Sequence, residues 1–71
     1  MATTVAAPMV GKIVRIEKRA GDAVDEDEAI MIMEAIKMEI PVVASVDGVV
    51  KSVKVAEGET VTVGQTLAEI E

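Results

Sequence analysis

The chain carries few groups that could do chemistry, and the shortage narrows its functions. Among its 71 residues there is no histidine and no cysteine. That removes the commonest general base, every thiolate nucleophile, any disulfide, and imidazole or thiolate metal ligands. Ser/His/Asp and Cys/His catalysis go with them. Carboxylates and amines remain. The densest acidic group, Asp22, Asp25, Glu26, Asp27 and Glu28, holds the oxygen ligands that hard cations take. It lacks the D-x-[DN]-x-[DN]-G loop order, and alternate strand residues face opposite sides. It reads as a solvated turn, so no metal site is expected. With 13 acids in the chain, carboxylate pairs arise by numbers alone, and no catalytic residue is assigned.

Lys37 is the amine whose setting differs from that of the other lysines. Two apolar stretches run into it and out of it, with Glu34 and Glu39 flanking. A tight reversal there would carry the side chain off a hairpin tip into solvent. Four methylenes and an amine on a rigid turn make an attachment point for a tethered group; an ordinary surface lysine is the plainer alternative. Methionines gather nearby at Met31, Met33 and Met38. Adaptable core filling suits Met31 or Met33, whichever faces inward. Met38 sits beside the turn and fits a core poorly.

The elements that must hold this lysine follow from composition. Half the residues (51%) are apolar, yet Phe, Tyr and Trp are absent. The core must be built from Val, Ile, Ala, Met and the single Leu67. A net charge of −6 without any aromatic to stack a base excludes nucleic acid as an expected partner. The longest apolar run is Ala29–Met33, five residues, so no membrane insertion is expected. No charged and apolar leader opens the chain. A soluble, cytoplasmic protein is expected.

Sliding the sequence against itself gives a signal at an offset of 37. Gly11 falls on Gly48, Gly21 on Gly58, Val24 on Val61, Ala7 on Ala44 and Glu34 on Glu71. Apolar classes follow: Ile13 with Val50, Ile30 with Leu67, Met33 with Ile70. Residues 1–71 are therefore expected to form a single domain, with repeats 1–34 and 38–71 joined by the connector 35–37. The repeat also settles an ambiguity. By propensity Asp25–Glu39 looks helical, but its apolar residues make no single 3.6-residue stripe. Its counterpart around Thr60–Leu67 is β-branched, alternating and broken by Gly64. Both halves are read as strand.

The expected strands are Thr4–Ala7, Gly11–Lys18, Val24–Asp25, Ala29–Glu34, Met38–Val43, Gly48–Val55, Thr60–Val61 and Thr66–Ile70. Gly21 and Gly58 offer turns with positive φ. Gly11 and Gly48, at equivalent strand starts, would permit a bulge or a close strand crossing. Pro8 and Pro41 fit edge or strand-start positions only. Short strands, frequent turns and two similar halves indicate an all-β flattened barrel or sandwich with pseudo-twofold symmetry.

Glu34-Ala35-Ile36-Lys37-Met38 resembles the attachment motif of biotin carboxyl carrier proteins, usually Glu-Ala/Ser-Met-Lys-Met. Downstream, Glu39-Ile40-Pro41-Val42, Gly48 and Gly58 continue the pattern; upstream, Ala7-Pro8, Gly11 and Gly21-Asp22-x-Val24 match. The resemblance to the biotin/lipoyl attachment family thus covers essentially the whole chain. It implies two four-stranded antiparallel sheets with the attachment lysine on a hairpin turn. It further implies a non-catalytic carrier subunit of a biotin-dependent carboxylase, with biotin bound covalently on Lys37 and Glu34, Ala35, Ile36 and Met38 completing the motif. Its implied partners are a biotin protein ligase, which joins biotin to the lysine as an amide, a biotin carboxylase and a carboxyltransferase or decarboxylase. Modification would take the formal charge from −6 to −7. The departure is Ile36, which replaces the usual Met and is stiffer at χ1. Lipoyl domains, the sister branch, usually carry Asp-Lys-Ala here. Apolar residues on both sides of Lys37 favour biotin, with a lipoyl carrier of a dehydrogenase-type complex as the alternative and an unmodified binding module as a third. A gap-free match between halves leaves no space for the protruding loop of many bacterial acetyl-CoA carboxylase carriers. The chain is closer to the simpler carriers of pyruvate, acyl-CoA or decarboxylase complexes.

Overall fold

Alternating β-branched and polar residues set the period of two that a half-buried strand requires. A computed structural model, which describes residues 2–71, has eight strands. Met1, with which the expected domain and first repeat begin, lies outside the described residues. The strands are β1 (Thr3–Ala6), β2 (Gly11–Ile16), β3 (Ala23–Val24), β4 (Ala29–Ala35), β5 (Met38–Val43), β6 (Gly48–Val53), β7 (Thr60–Val61) and β8 (Thr66–Ile70). They form two four-stranded sheets, β1-β8-β6-β3 and β5-β4-β2-β7, with every pairing antiparallel. Each sheet takes two strands from each half of the chain. No helix among the described residues is long and apolar enough to cross a membrane.

Several strand limits differ from the sequence expectation, for traceable reasons. β2 stops at Ile16 rather than Lys18 because the Glu17 and Lys18 N–H groups both donate to the Ile30 carbonyl (2.7 and 2.9 Å). One acceptor serving two donors ends the regular ladder. β6 stops at Val53 rather than Val55; beyond it the Lys54 N–H donates to the Leu67 carbonyl (2.8 Å). Ala7 lies outside β1, its N–H turned to the Gln65 carbonyl at 2.9 Å. β3 sits one residue earlier than expected. β4 extends to Ala35, which pairs with Met38. The reversal is thereby narrowed to Ile36-Lys37.

The same hydrogen bonds occur twice, 37 residues apart. Gly21 N–H donates to the Val50 carbonyl (2.8 Å) and Gly58 N–H to the Ile13 carbonyl (2.6 Å). Asp27 N–H donates to the Ala44 carbonyl (2.8 Å) and Gly64 N–H to the Ala7 carbonyl (2.9 Å). Register shifts recur as well, between Ile13 and Arg15 and between Val50 and Ser52. This is the pseudo-twofold symmetry of a flattened sandwich.

Ile13, Ile30, Met31, Met33, Val50, Val61, Leu67 and Ile70 fill the space between the sheets and are fully buried. At roughly 1.5–3 kcal/mol for each large side chain removed from water, they are the main favourable contribution. Met31 and Met33 both point inward, where the sequence suggested one of them. They are two residues apart and so share a face. The register shift between Ala29 and Met31 turns Ile30 inward beside them. Pro41 lies in β5, an edge strand, where its missing N–H leaves no central ladder bond unmade. Pro8 lies outside the strands.

Gly11 and Gly48 serve close approach. A Cβ on Gly11 would stand 2.6 Å from the Glu34 carbonyl oxygen; one on Gly48 would stand 2.6 Å from that of Glu71. Gly21 and Gly58 have positive φ (96° and 89°) in open space, so their constraint is purely conformational. Gly64 (φ 83°) corresponds to Asp27, which adopts φ 71°. Gly21→Ala and Gly58→Ala should each lose on the order of 1–2 kcal/mol. Gly11→Ala and Gly48→Ala should lose more, toward ~3 kcal/mol, because a backbone oxygen must move. Gly64→Asp should be milder than Gly58→Ala, since Asp tolerates this region. Urea midpoints of the five variants test the ordering.

Candidate functional site

β4 and β5 are joined by two residues, and the turn they make is costly. Ile36 and Lys37 both have positive φ (51° and 61°), the signature of the type I′ turn whose twist matches antiparallel strands. Asn-Gly is the usual sequence because both positions need the left-handed region. A β-branched residue there is a genuine outlier, costing on the order of 1–2 kcal/mol. Ile36 recovers nothing by burial, being 85% exposed. The turn is held by what lies behind it. Ala35 is buried and closes the ladder against Met38. Gly11, without a Cβ, lets β2 slide beneath Glu34 and Ala35.

The five motif residues are thus divided by the fold. Ala35 is an internal anchor. Glu34, Ile36, Lys37 and Met38 face solvent. Among the described residues the ion pairs are Arg15–Glu17 and Lys18–Glu28 (3.1 Å), so no carboxylate lies within 4.0 Å of the Lys37 ammonium. Glu34 and Glu39 stand directly opposite across β4–β5, with Lys12 opposite Glu34 on the other side. Like charges opposed in this way are mildly destabilising, and Lys12 offsets part of the repulsion. Gly11 supports the lysine turn from a neighbouring strand, a role that no local pattern in the sequence announces. Its recurrence as Gly48 at the same offset was the available signal.

The turn is at one end of the molecule. β2 carries the chain from Gly11, beside Glu34, to the Gly21 turn, which bonds to Val50 near Gly48 and Glu71. Lys37 and Glu71 therefore stand at opposite ends of a body measuring 32 × 17 × 17 Å.

In the acidic run the Asp22 and Glu28 carboxylates accept backbone N–H groups, and Glu26 donates its own to Asp47. Arg19 N–H donates to Asp22 Oδ2 (2.8 Å), Asp25 N–H to Glu28 Oε1 (3.0 Å), and Glu26 N–H to Asp47 Oδ1 (2.6 Å). No three carboxylates among the described residues converge on a metal position. The Asp25 N–H, followed by Lys18, holds the Glu28 carboxyl below its ordinary value of 4.5. A depressed carboxyl stabilises the fold above its unfolded pKa, and that contribution is lost as pH falls through the folded value. Gln65 makes the corresponding bond in the second half, accepting from Thr62 N–H at 3.1 Å without a charge.

Two outcomes follow from this geometry. Glu28→Gln should keep the turn bond, as Gln65 does, and flatten the fall in stability below about pH 4.5; acid titration of the urea midpoint checks it. Ile36→Asn should stabilise the domain by about 1 kcal/mol, because Asn accepts the left-handed region and no burial is lost. An unchanged or lower midpoint would mean that the turn is not strained at Ile36.

Residues 3–70 match the family model whose description is "Biotin-requiring enzyme". The chain is 40% identical over 67 residues to the biotin/lipoyl attachment protein of Bacillus subtilis, covering 94% of this chain and 92% of that one. It is 42% identical over 69 residues to the biotin carboxyl carrier protein of Streptococcus mutans, covering 97% of this chain and 53% of that one. Among solved structures, the urea carboxylase of Kluyveromyces lactis superposes with a TM-score of 0.95 at 27% identity, over 100% of this chain and 6% of that one.

Proposed function

The chain belongs to the biotin-requiring enzyme family, a biotinyl domain of the biotin/lipoyl type, and on that premise we propose that it is a biotin carboxyl carrier with Lys37 as the attachment residue. The observation that carries this reading is the strained, solvent-exposed Ile36-Lys37 turn, which presents an amine free of any carboxylate partner. Such a residue gives nothing to folding, and strain of this kind is kept where surrounding structure fixes it for a purpose.

The residues fit an amide-linked group. The amine stands clear of the surface, and the turn behind it is fixed by Ala35 and Gly11. Acylation forms one C–N bond at Nζ as the bond between the biotin carboxyl carbon and its activating group breaks. The ammonium loses two protons, one N–H stays on the amide, and the positive charge is lost. Bound biotin supplies a ureido nitrogen able to carry a carboxyl group between separate sites. The domain itself has no catalytic part in this reading. It fixes the root of the arm, so that encounter with a partner site becomes a local search at raised effective concentration. A biotin protein ligase, a biotin carboxylase and a carboxyltransferase are the partners. Glu34, Ala35, Ile36 and Met38 complete the motif that the ligase reads. Apolar side chains on both flanks of Lys37 favour biotin over lipoate.

Co-expression with a biotin protein ligase should add the mass of one biotinyl group, and Lys37→Arg should abolish the increment while the fold survives. Arginine keeps the charge and offers no acylable amine. Intact mass distinguishes the outcomes: a lipoyl increment would replace biotin in the reading, and undiminished biotin on Lys37→Arg would move the site to another lysine.

A further inference from the structure

The two halves of this chain serve as controls for each other. Residues 37 apart hold equivalent backbone positions, so a difference in exposed chemistry between them is not required by the fold. Four large apolar side chains among the described residues are more than half exposed: Ile36 (85%), Val63 (70%), Met38 (64%) and Val10 (62%). All four belong to the Lys37 end. Val10 lies in the bend one residue outward from Gly11, the residue whose missing Cβ leaves room for Glu34 and Ala35. Val63 lies two residues outward from Val61, the β7 partner of Gly11.

The counterparts at the opposite end are Asp47 for Val10 and Glu26 for Val63. Those two positions touch there, the Glu26 N–H donating to Asp47 Oδ1 at 2.6 Å. By the twofold relation Val63 and Val10 hold the corresponding backbone positions at the lysine end. Where one end carries a pair of acids, the lysine end carries a pair of bare valines. Water disfavours this, and no neighbouring element covers them. Together with Ile36 and Met38 they give the Lys37 end of the molecule an exposed apolar collar. Beneath the collar Glu34, Glu39 and Lys12 leave a rim with one net negative charge.

We propose that Val10 and Val63 extend the docking surface for the enzyme that acylates Lys37, beyond the hairpin and onto the β1–β2 and β7–β8 loops. The inference rests on Lys37 being the attachment residue. Reach selects this occupant. An enzyme acylating the amine must come within one lysine side chain of the turn, so its surface lies over the collar. Partners acting on the far end of a loaded arm need not come so near. The fitting surface on the enzyme is apolar at its centre and basic at its edge.

The test is steady-state biotinylation of the unmodified protein by a biotin protein ligase. Val10→Asp combined with Val63→Glu copies the opposite end onto this one and should raise KM about tenfold or more, equivalent to at least ~1.4 kcal/mol of binding. The same variant should keep kcat within about threefold and retain its urea midpoint. Val10→Thr with Val63→Thr, uncharged and similar in shape, should give a smaller rise in KM of about threefold, and it serves if the acidic pair fails to fold. Val49→Asp, at the opposite end, should leave KM unchanged. A KM within about twofold of wild type for both paired variants overturns the proposal. So does an equal rise in Val49→Asp, or a loss confined to later carboxylation by a biotin carboxylase. A wild-type chain that the ligase leaves unmodified removes the Lys37 reading as well, and is told apart because no variant need be compared.

Discussion

Backbone hydrogen bonds exchanged between the two halves of the chain are the interaction on which the rest depends. The Ala7 N–H reaches the Gln65 carbonyl and the Ala44 N–H reaches that of Glu28. Gly21 bonds to Val50, and Gly58 to Ile13. Each half ties down the other's turns, and each sheet interleaves strands from both. Neither half could satisfy its own donors and acceptors alone, and an unmet buried backbone group costs about as much as a lost hydrogen bond. An aromatic-free core tolerates this arrangement because small branched side chains fill two thin, facing layers. The closure depends on Gly11 and Gly48, where a carbonyl oxygen occupies the space a Cβ would take.

That framework is rigid enough to hold a turn its own sequence disfavours. Ile36 is in the left-handed region and almost fully exposed. It stays there because β4 and β5 pair without interruption from Met31 to Ala35 and from Met38 to Val42, with the buried Ala35 as the last anchor. Lys37 gains a fixed base and an open horizon. Stability is given up at the tip and recovered between the sheets, which is the expected division in a protein whose task is to present one group.

The twofold relation separates structural need from surface choice. Positions that do backbone work agree in type: Gly11 with Gly48, Gly21 with Gly58, Asp22 with Glu59, Glu28 with Gln65. Asp27 and Gly64 agree in conformation though not in residue, both having positive φ. The ends diverge elsewhere: Asp47 accepts the Glu26 N–H, while its counterpart Val10 has no acceptor in its side chain and is exposed. Within the acidic run Asp22 and Glu28 cap turns, as Glu59 and Gln65 do in the second half, while the Asp25, Glu26 and Asp27 carboxylates face solvent.

The sequence by itself determined the order of eight strands, the offset that relates them, and the tight reversal at Lys37. It did so because apolar alternation, glycine placement and β-branching are local properties. It also excluded histidine and cysteine chemistry outright. Helical propensity in Asp25–Glu39 misleads, and only comparison with the second half corrects it. Tertiary structure alone decided the left-handed pair at Ile36-Lys37, since isoleucine disfavours that region and nothing local announces it. It alone turned Met31 and Met33 inward together with Ile30, through a register shift that no period of two foretells. It alone brought Val10 and Val63 to the end of the molecule that carries the lysine. Register and strand crossing fix such juxtapositions, and both are set by contacts between residues far apart in the chain.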